Sequence, residues 1–424
     1  MSRMRLMLVG CAIAAAVVAA RHPSVLAAAK PPTVDDFFDD SVVQRIDLQM
    51  NTRDWQSLTD NYLDNTYYPA DFKWRDQTVR NIGIRSRGTG SRSGTKPGLR
   101  LDFNRYSPSQ LFVNNLKAVI LRNQTQDASN MHERISMLLY AKLGVQATRE
   151  AFTTLYVDNQ YMGVYSIVEN PDKVMLDRMF HDSEGNIYKY DYNAGDLPWY
   201  FTDKGADSSA YVPEPFKPET NETDPHPDTI RDWVRSVAND SDAAFPINVL
   251  RWMDWTNFTT HIAVENWVAD QDGFNGNYGV NNFYLYRWTN ADKLTFIPWD
   301  KSEAFKDPVD TGIFHNFLDG DPAKRNRLSS RAMSIDDARN AYLDTLLRIS
   351  NLARETDPTN PADTRGWMER EVEREYAQIK DLVYLDTKKP FSNDDFEAAV
   401  DVLRNFARSR PANVDAQVKA FRNR

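Results

Sequence analysis

The feature that most constrains this chain is the stretch of residues 265–305, where polar residues stand between segments that have the character of buried structure. The stretch begins as an apolar, helix-like run and then breaks into acids, glycines and asparagines. It continues as two short aromatic strands, predicted over residues 282–288 and 293–298, and Asp300 follows the second. Carboxylates and carboxamides that rigid elements hold on a loop and at a strand end are typical of catalytic or binding sites. We therefore place the candidate site in this stretch.

The pattern before and after this stretch predicts an α+β fold. Strands are predicted over residues 42–48, in a hairpin over 72–84, on both sides of a loop in 82–103, and over 116–121, 153–157 and 161–168. Helices are predicted over residues 52–58, 130–143, 173–180, 228–241, 246–268, 335–353, 365–385 and 393–420. Residues 30–41 are expected to be mobile, and residues 184–226 to form a long irregular excursion. Because a β-rich front half is followed by a helical half, the predicted fold class is α+β.

The first 29 residues have the anatomy of an export signal. Arg3 and Arg5 precede an apolar run over residues 6–20, and residues 25–29 resemble a small-residue cleavage site. The run is shorter than the ~20 residues of a membrane-spanning helix, so we expect a secreted or periplasmic protein without a membrane span. Cys11 is the only cysteine, so the mature chain would have no disulfide and no cysteine nucleophile. A lipoprotein box ending at this cysteine is disfavoured, because most of the apolar run follows it.

The charge of the chain excludes one class of partner. The formal net charge is -9, and without the three arginines of the signal 48 basic residues remain against 60 acidic ones. This acidic balance argues against a nucleic acid or an anionic membrane as partner. The hydrophobic content of 41% is enough for a sizeable core.

Residues 87–96 (RGTGSRSGTK) have the composition of an anion-binding loop. Gly88 and Gly90 would let the backbone approach an anion closely, and hydroxyls such as that of Ser91 can donate to phosphate oxygens. The loop joins two predicted strands, so it is not a P-loop, which needs a following helix. Composition alone favours the plainer interpretation of a flexible, solvated hairpin.

Three charged residues around this loop are further candidates. Lys96 ends the loop, and Arg100 lies on the predicted strand face opposite its leucine neighbours, so either base could reach a phosphate. Glu133 lies in the predicted helix over residues 130–143 and could pair with one of them. The alternative for each is an ordinary solvent-facing charge.

The acids in the organising stretch favour a cation and hydroxyl site. Asp272 lies near Asn282, and such oxygens suit hard cations, while an acid can also orient or deprotonate a hydroxyl. Asp300 ends an apolar strand, so it must face a cleft or be paired. A purely structural network of Asx turns is the competing interpretation. An EF-hand loop is disfavoured, because Gly273 is fourth instead of sixth and Asn281 stands where the twelfth-position Glu belongs.

The sequence gives little support for other classes of catalytic site. The histidines are scattered without metal-ligand spacing, and no G-x-S-x-G motif is present. Asp272 and Asp300 could also serve as the two carboxylates of a glycoside hydrolase, which keeps that reaction class open.

Eight segments, in order between residues 42 and 305, carry a family resemblance. They are IDLQMNTRDW, YPADF, VRNIGIRSRGTGSRSGTKPGLRLDFNRY, QDASNMHERISMLLYAKLGV, YMGVYSIVENPDKVML, NIYKY, ENWVADQDGFNGNYGVNNFYLYRW and FIPWDKSEAF. Together they resemble the CotH (spore coat protein H) family of secreted atypical protein kinases. The helical tail resembles the family more loosely.

The resemblance implies a two-lobed, protein-kinase-like fold, with an N-lobe over residues 42–170, a C-lobe over residues 171–424, and ATP and Mg²⁺ between them. The loop with Arg87, Gly88, Gly90 and Ser91 would cover the phosphates, and Lys96 or Arg100 would hold one. Glu133 would steady that base, and Glu169 would belong to the hinge that adenine reaches. Asp272 would position the acceptor hydroxyl, and Asn282 and Asp300 would hold the metal.

The implied activity is transfer of the γ-phosphoryl group of ATP to Ser or Thr of an exported protein. Relatives often have Trp-Asp-x-Asp where this chain has Trp299-Asp300-Lys301-Ser302, so a second metal site is not supported. The H-R-D, D-F-G and A-P-E motifs are absent, so regulation by an activation loop is not implied. A non-catalytic envelope or matrix-binding module with the same fold is the main alternative, ahead of a polysaccharide hydrolase.

Overall fold

The β-rich half of the chain closes into a barrel in the computed structural model, which describes residues 31–113, 115–194 and 198–424. The elements of this half are α1 (Val34–Phe37), β1 (Gln44–Met50), α2 (Thr52–Asp60), β2 (Tyr68–Trp74), β3 (Gln77–Ser86), β4 (Leu99–Asp102), β5 (Ala118–Arg122), α3 (His132–Lys142), β6 (Glu150–Val157) and β7 (Gln160–Glu169). Around the barrel the strands of the described residues follow the order β1-β2-β3-β4-β5-β7-β6. The parallel pairing of β1 with β6 closes the barrel, and its other pairs are antiparallel. The predicted export signal, with Cys11, lies outside the described residues.

Buried and exposed residues alternate along the strands, and the buried ones fill the interior of the barrel. In β1, Ile46, Leu48 and Met50 are buried, while the residues between them are more exposed, as expected for a strand with one face on a core. Aromatic rings fill the middle, where Phe72 and Phe103 meet edge to face with centroids 5.1 Å apart. The hairpin of β2 and β3 and the strand–loop–strand unit of β3 and β4 lie where the sequence predicts them.

Residues 33–41, part of the segment that the sequence predicts to be mobile, are instead packed against the barrel. A capping box begins α1: the Thr33 hydroxyl accepts from the N–H of Asp36, whose carboxylate accepts from the N–H of Thr33. Phe37 is fully buried and lies edge to face with Trp74 at 5.2 Å. The polar, proline-led composition of the segment suggested a loop, whereas its phenylalanines supply the packing that orders it.

The second half of the chain is mainly helical around a small sheet. Its elements are α4 (Lys173–Phe180), β8 (Asn186–Tyr190), β9 (Phe216–Pro218), α5 (Pro227–Asn239), α6 (Phe245–Asn248), α7 (Trp255–Trp267), β10 (Phe283–Arg287), β11 (Leu294–Pro298), α8 (Arg327–Ala332), α9 (Asp336–Arg354), α10 (Trp367–Leu385) and α11 (Asn393–Arg422). The sheet has the order β11-β10-β8-β9. Mixed helices and sheets confirm the predicted α+β class.

Two predictions for this half are wrong in detail. Residues 184–226 are not irregular throughout, because β8 and β9 complete the small sheet beside β10. The helix predicted over residues 246–268 is interrupted between α6 and α7. There the Asp254 carboxylate accepts from the N–H groups of Thr256 and Asn257 and so starts α7 as a separate helix. Across the described residues, no helix combines the length and the apolarity needed to cross a membrane.

Helix α10 returns to the barrel and braces α3. The guanidinium Nε of Arg134 on α3 donates to Glu375 of α10 at 3.0 Å. The hydroxyl of Tyr161 on β7 donates to the carbonyl oxygen of Leu382 at 2.9 Å. Helix α3 is therefore held from behind by the C-terminal part of the chain, while its other side faces β5.

Candidate functional site

A pocket of about 870 Å³ lies between the loop that joins β3 to β4, strand β8, and the segments that follow α7 and β11. The residues proposed from the sequence that line it are Arg87, Gly88, Gly90, Ser91, Asp272, Asn282 and Asp300. The residues proposed from the sequence that lie outside this lining are Lys96, Arg100, Glu133 and Glu169. The structure therefore brings the glycine-rich loop and the carboxylates of the organising stretch together in one hollow.

The loop that joins β3 to β4 is held in place and is not the flexible hairpin that its composition favours. Arg92 donates to the carbonyl oxygens of Gly88 at 2.8 Å and of Tyr62 at 3.0 Å. Nδ2 of Asn123 donates to the carbonyl oxygen of Ser91 at 2.8 Å. Gly88 has a φ of +118°, a conformation that side-chain-bearing residues rarely adopt. A loop fixed in this way can offer its N–H groups to an anion without a large ordering cost.

Arg122, the last residue of β5, lies behind the pocket lining, where it pairs with Asp300, and the sequence analysis assigned no role to it. Its Nε lies 2.7 Å from Oε2 of Glu133 on α3, and its Nη1 lies 2.7 Å from Oδ2 of Asp300. Its guanidinium carbon also stands 4.8 Å from the centroid of the Trp299 ring. A signal for it was present, because Arg122 ends the apolar run AVILR as Asp300 ends the apolar run of β11.

Glu133 therefore does not pair with either of the bases that the sequence predicts for it. The ammonium group of Lys96 is buried 2.6 Å from Asp386, at the end of α10. Nε of Arg100 lies 2.9 Å from Oδ1 of Asp102 on the same strand. Both bases are occupied by carboxylates outside the pocket lining, which is why neither is available to Glu133.

Burial and the arginines together set the ionisation of the acids. Burial raises the pKa of Glu133 to about 7, against the opposing effect of Arg122. Burial also opposes ionisation of Asp300, but Arg122 and Arg87 hold its pKa below the usual value. Loss of hydration and the nearby charge of Arg122 lower the pKa of Arg87 to about 10. The two arginines and the two acids thus form one interacting cluster beside the pocket.

Asp272 is positioned by two asparagines. Nδ2 of Asn281 donates to one carboxylate oxygen of Asp272 and Nδ2 of Asn282 to the other, both at 2.9 Å. Burial raises the pKa of Asp272 to about 6, with a contribution from the negative charge of Asp300 and against the hydrogen bond from Asn281. Asn282 and Asp300 both have positive φ, of 56° and 50°, the kind of backbone strain that clusters at functional sites.

A buried ion cluster holds the loop that carries Asp272. The ammonium group of Lys301 lies 2.6 Å from Glu265 and 2.9 Å from Asp270, and all three side chains are almost completely buried. Glu265 also accepts from the N–H of Phe274 at 3.0 Å. A Cβ on Gly273 would come within 2.6 Å of Asp270 and 2.7 Å of Glu265, so the turn requires glycine. Asp270 is therefore engaged in an ion pair with Lys301 and is not free to be the first calcium ligand of an EF-hand loop.

Comparison with known proteins identifies the family. A family profile described as CotH kinase protein matches residues 84–414, most of the chain. The chain belongs to the CotH kinase protein family. This confirms the resemblance inferred from the sequence.

No curated protein sequence matches this chain. One similar solved structure is the HipA–HipB toxin–antitoxin complex with operator DNA from Shewanella oneidensis MR-1. The likeness covers 89% of this chain and 74% of that chain at 12% identity, with a TM-score of 0.39.

The oxygens of the CotH pocket suit a hard cation. Asp272, Asp300 and the amide oxygen of Asn282 line it, and such ligands favour Mg²⁺. Within the described ranges, no group of three or more His, Cys, Asp or Glu side chains is arranged to hold a metal alone. Ser302, which replaces the second acid of many relatives, donates to Oδ1 of Asp300 at 3.1 Å.

Glu169 lies at the end of β7, away from the pocket. Its carboxylate is 2.8 Å from Arg149 and also forms an ion pair with Arg178, and its side chain is 2% exposed. Its N–H donates to the carbonyl oxygen of Arg149 at 3.0 Å. The N–H and the carboxylate of Glu169, which the family resemblance predicts to lie in the hinge that adenine reaches, are therefore already paired with Arg149 and Arg178.

Proposed function

We propose that this protein is a kinase that transfers the γ-phosphoryl group of ATP, with Mg²⁺, to a Ser or Thr hydroxyl of an exported protein. On this proposal the barrel and α3 act as the N-lobe, over residues 42–170, and the helical half acts as the C-lobe, over residues 171–424. Membership of the CotH kinase family supports the kinase class. The exported acceptor and the secreted or periplasmic location rest on the signal predicted in the first 29 residues.

One observation carries the proposal: the anion-binding loop and the two candidate site carboxylates line the same pocket. Phosphoryl transfer needs cradled phosphates, neutralised charge and an oriented nucleophile. The loop around Gly88 and Gly90 supports the first of these. Arg122 supports the second, and Asp272, held by two asparagines on a separate segment, supports the third.

Arg122 takes the role that the sequence analysis assigned to Lys96 or Arg100. Glu133 and Asp300 hold its guanidinium from two directions, so its position is fixed before a ligand arrives. A guanidinium presents several donors in one plane and suits phosphate oxygens. Arg87, which lines the pocket, adds a second positive charge. Arg87 would contact the donor phosphates, and Arg122 would add positive charge from behind Asp300.

Asp272 would act on the acceptor. Its carboxylate lines the pocket and is fixed on both oxygens by amide donors. With a pKa of about 6 it is mainly ionised at neutral pH and able to accept a hydrogen bond from a Ser or Thr hydroxyl. The hydroxyl would thereby be aimed at the donor phosphate.

Asp300 and Asn282 would hold the Mg²⁺ ion. Arg122 keeps Asp300 ionised despite its burial, which a metal ligand requires. When bound, the ion neutralises charge on the donor phosphates. Asn282 also donates to Asp272, so one side chain links the metal ligands to the acceptor side.

The test is Mg²⁺-dependent phosphate incorporation from labelled ATP into secreted proteins of the same cell and into the protein itself. We expect transfer by the wild-type chain and its loss in Asp272→Asn and Asp300→Asn. Asp76→Asn, on the exposed turn between β2 and β3, is the matched control and should retain activity. Saturating ATP and Mg²⁺ should raise the free energy of unfolding by about 2.7 kcal/mol at ~100 times Kd. Equal incorporation by wild type and both site variants would refute the proposal.

A non-catalytic binding module is the second candidate, and Ser302 is the observation that favours it. A hydroxyl stands where many relatives carry a second acid, so only Asp300 of this segment offers a carboxylate to a metal. If ATP and Mg²⁺ stabilise the protein but no phosphate is transferred to any protein, the binding module is correct. Replacing Ser302 by Asp would then be expected to create or increase transfer.

A further inference from the structure

We propose that the pocket recognises its donor by the phosphates and not by the base, so that nucleoside triphosphates of any base, and inorganic triphosphate, bind with similar affinity. The inference rests on the proposed function and specifies the donor class of the same site. Three features of the described residues lead to it: an apolar wall, an occupied strand end, and cations in the open part of the pocket.

An apolar wall closes the side of the pocket that faces β7 and α4. Ile120 of β5 and Val168 of β7 pack in one cluster with Tyr284 of β10 and with Trp299. These four side chains are at most 4% exposed. The rings of Tyr284 and Trp299 meet edge to face with centroids 5.1 Å apart. The space between the barrel and the small sheet is therefore filled by side chains, and a purine would have to displace them.

The strand end behind this wall is not available to a base. Residues 160–180 are all described, and none of them lines the pocket. The N–H of Glu169 is donated to Arg149, and its carboxylate pairs with Arg149 and Arg178. Base recognition at this strand end would require breaking buried ion pairs, which costs several kcal/mol.

Charged groups of both signs line the open part of the pocket, with Asp191, Asp272, Asp300 and Glu303 beside its cations. Arg87, Arg92 and Lys189 line it, and Arg122 stands behind Asp300. No carboxylate of the described chain forms an ion pair with Arg87. Burial and the charge of Arg87 also lower the pKa of Lys189. The cations of this part, Arg87 above all, can bind the charged oxygens of a polyphosphate, while a neutral base has no charge to offer them.

The mouth of the pocket offers only general contacts to a base. Leu63 and Tyr278 stand on its rim and are 66% and 57% exposed. Exposed rings and aliphatic groups can stack on any base, because each base has a π face. The base of a bound nucleotide would therefore lie at the rim, where Leu63 and Tyr278 provide stacking surface but no hydrogen-bonding pattern that distinguishes one base from another.

The experiment measures binding by calorimetry and thermal shift with ATP, GTP, CTP and inorganic triphosphate, each with excess Mg²⁺, and with adenosine. We expect ATP, GTP and CTP to bind with Kd values within about threefold of one another, inorganic triphosphate to bind within about tenfold of them, and adenosine to give no shift. Arg87→Gln should weaken all four by a similar factor. Arg53→Gln, on the exposed face of α2, is the matched control and should weaken none.

The outcomes separate this inference from the kinase proposal. ATP binding that is about tenfold or more tighter than GTP and CTP binding, or competition by adenosine, would overturn the inference and leave the kinase proposal intact. Equal binding of the triphosphates with transfer to protein would support both. Absence of binding by every triphosphate would overturn both together.

Discussion

Arg122 and Asp300 form an ion pair, with 2.7 Å between Nη1 and Oδ2, that ties the last residue of β5 to a residue that follows β11. The barrel and the small sheet thus meet at a charge pair inside the candidate site. Glu133 holds the same guanidinium from α3. The position of α3 and the candidate metal ligand Asp300 are therefore linked through the side chain of Arg122.

Arg122→Lys is the sharpest test of this arrangement. Lysine keeps the positive charge, but a single ammonium group cannot bridge Glu133 and Asp300 as the guanidinium does. We expect the protein to remain folded and phosphate incorporation to fall by ~10²-fold. Urea unfolding and incorporation of labelled phosphate measure the two effects.

The control for Arg122→Lys is Arg100→Lys, because Arg100 pairs with Asp102 on its own strand and not with Glu133 or Asp300. It should leave incorporation near the wild-type level. Equal loss of transfer in both variants would show that the cation chosen from the structure is no more important than the one chosen from the sequence.

Gly88→Ala should impair donor binding while Gly90→Ala should not. Gly88 has a φ of +118°, and a Cβ there would lie 2.5 Å from Oγ of Ser91. The substitution therefore strains the backbone and pushes the loop out of its conformation. Gly90 lies in the same loop, but its Cβ would meet its nearest neighbour, Nε2 of Gln126, at 3.5 Å.

Calorimetric titration with ATP and Mg²⁺ compares the two glycine variants. We expect Gly88→Ala to raise Kd by about tenfold or more and Gly90→Ala to change it by less than about threefold. Thermal melting without ligand should confirm that both variants are folded. Wild-type affinity in Gly88→Ala would mean that the loop conformation does not contribute to binding.

Local signals explain what the sequence predicted correctly. The helix over residues 173–180 was predicted at its observed bounds, and Asp172 caps it by accepting from the N–H of Val174. The hairpin of β2 and β3 depends on alternation around a short turn. Asp272, Asn282 and Asp300 were noticed because polar groups at the ends of buried elements stand out in a single stretch.

Long-range pairing explains what the sequence could not predict. Arg122 acquires its role from α3 and from the segment after β11, which lies 178 residues further along the chain. Lys96 was a plausible phosphate ligand until its partner Asp386, 290 residues away, could be identified. Residues 184–226 contain two short strands that become recognisable only in the sheet, where β8 pairs with β10 and β9 pairs with β8.

Lys96→Met should destabilise the protein without weakening donor binding. Lys96 and Asp386 are 1% and 2% exposed, and removing the cation leaves a buried carboxylate without its ion-pair partner. Loss of one partner of a buried pair costs about 3–5 kcal/mol, and we expect the low end because the Asp386 carboxylate also accepts from the N–H groups of Val164 and Lys388. Urea unfolding measures the loss, and calorimetry well below the melting temperature measures the Kd for ATP.

Lys73→Met is the matched control for Lys96→Met, because Lys73 is an exposed lysine on β2. It should change the free energy of unfolding by less than about 0.5 kcal/mol. If Lys96→Met instead abolished ATP binding in a folded protein, Lys96 would belong to the donor site as the sequence suggested.

Glu375→Gln should change how stability depends on pH. Burial raises the pKa of Glu375 to about 8, although Arg134 lies 3.0 Å away and opposes the shift. An unfolded glutamate titrates near ~4.3. Between these values the unfolded chain has released a proton that the folded chain retains, so the free energy of unfolding falls as pH rises. The fall is at most about 1.4 kcal/mol per pH unit for one proton.

The Gln variant lacks this proton, so the stability of the wild type relative to Glu375→Gln should decline from about pH 5 to pH 8 and then level off. Urea unfolding of both proteins at several pH values measures the difference, which cancels the contributions of groups that the two chains share. Parallel curves across this range would show that Glu375 is ionised in the folded protein and that Arg134 outweighs its burial. The brace between α3 and α10 would then be a full ion pair, and Glu375→Gln would weaken it equally at every pH.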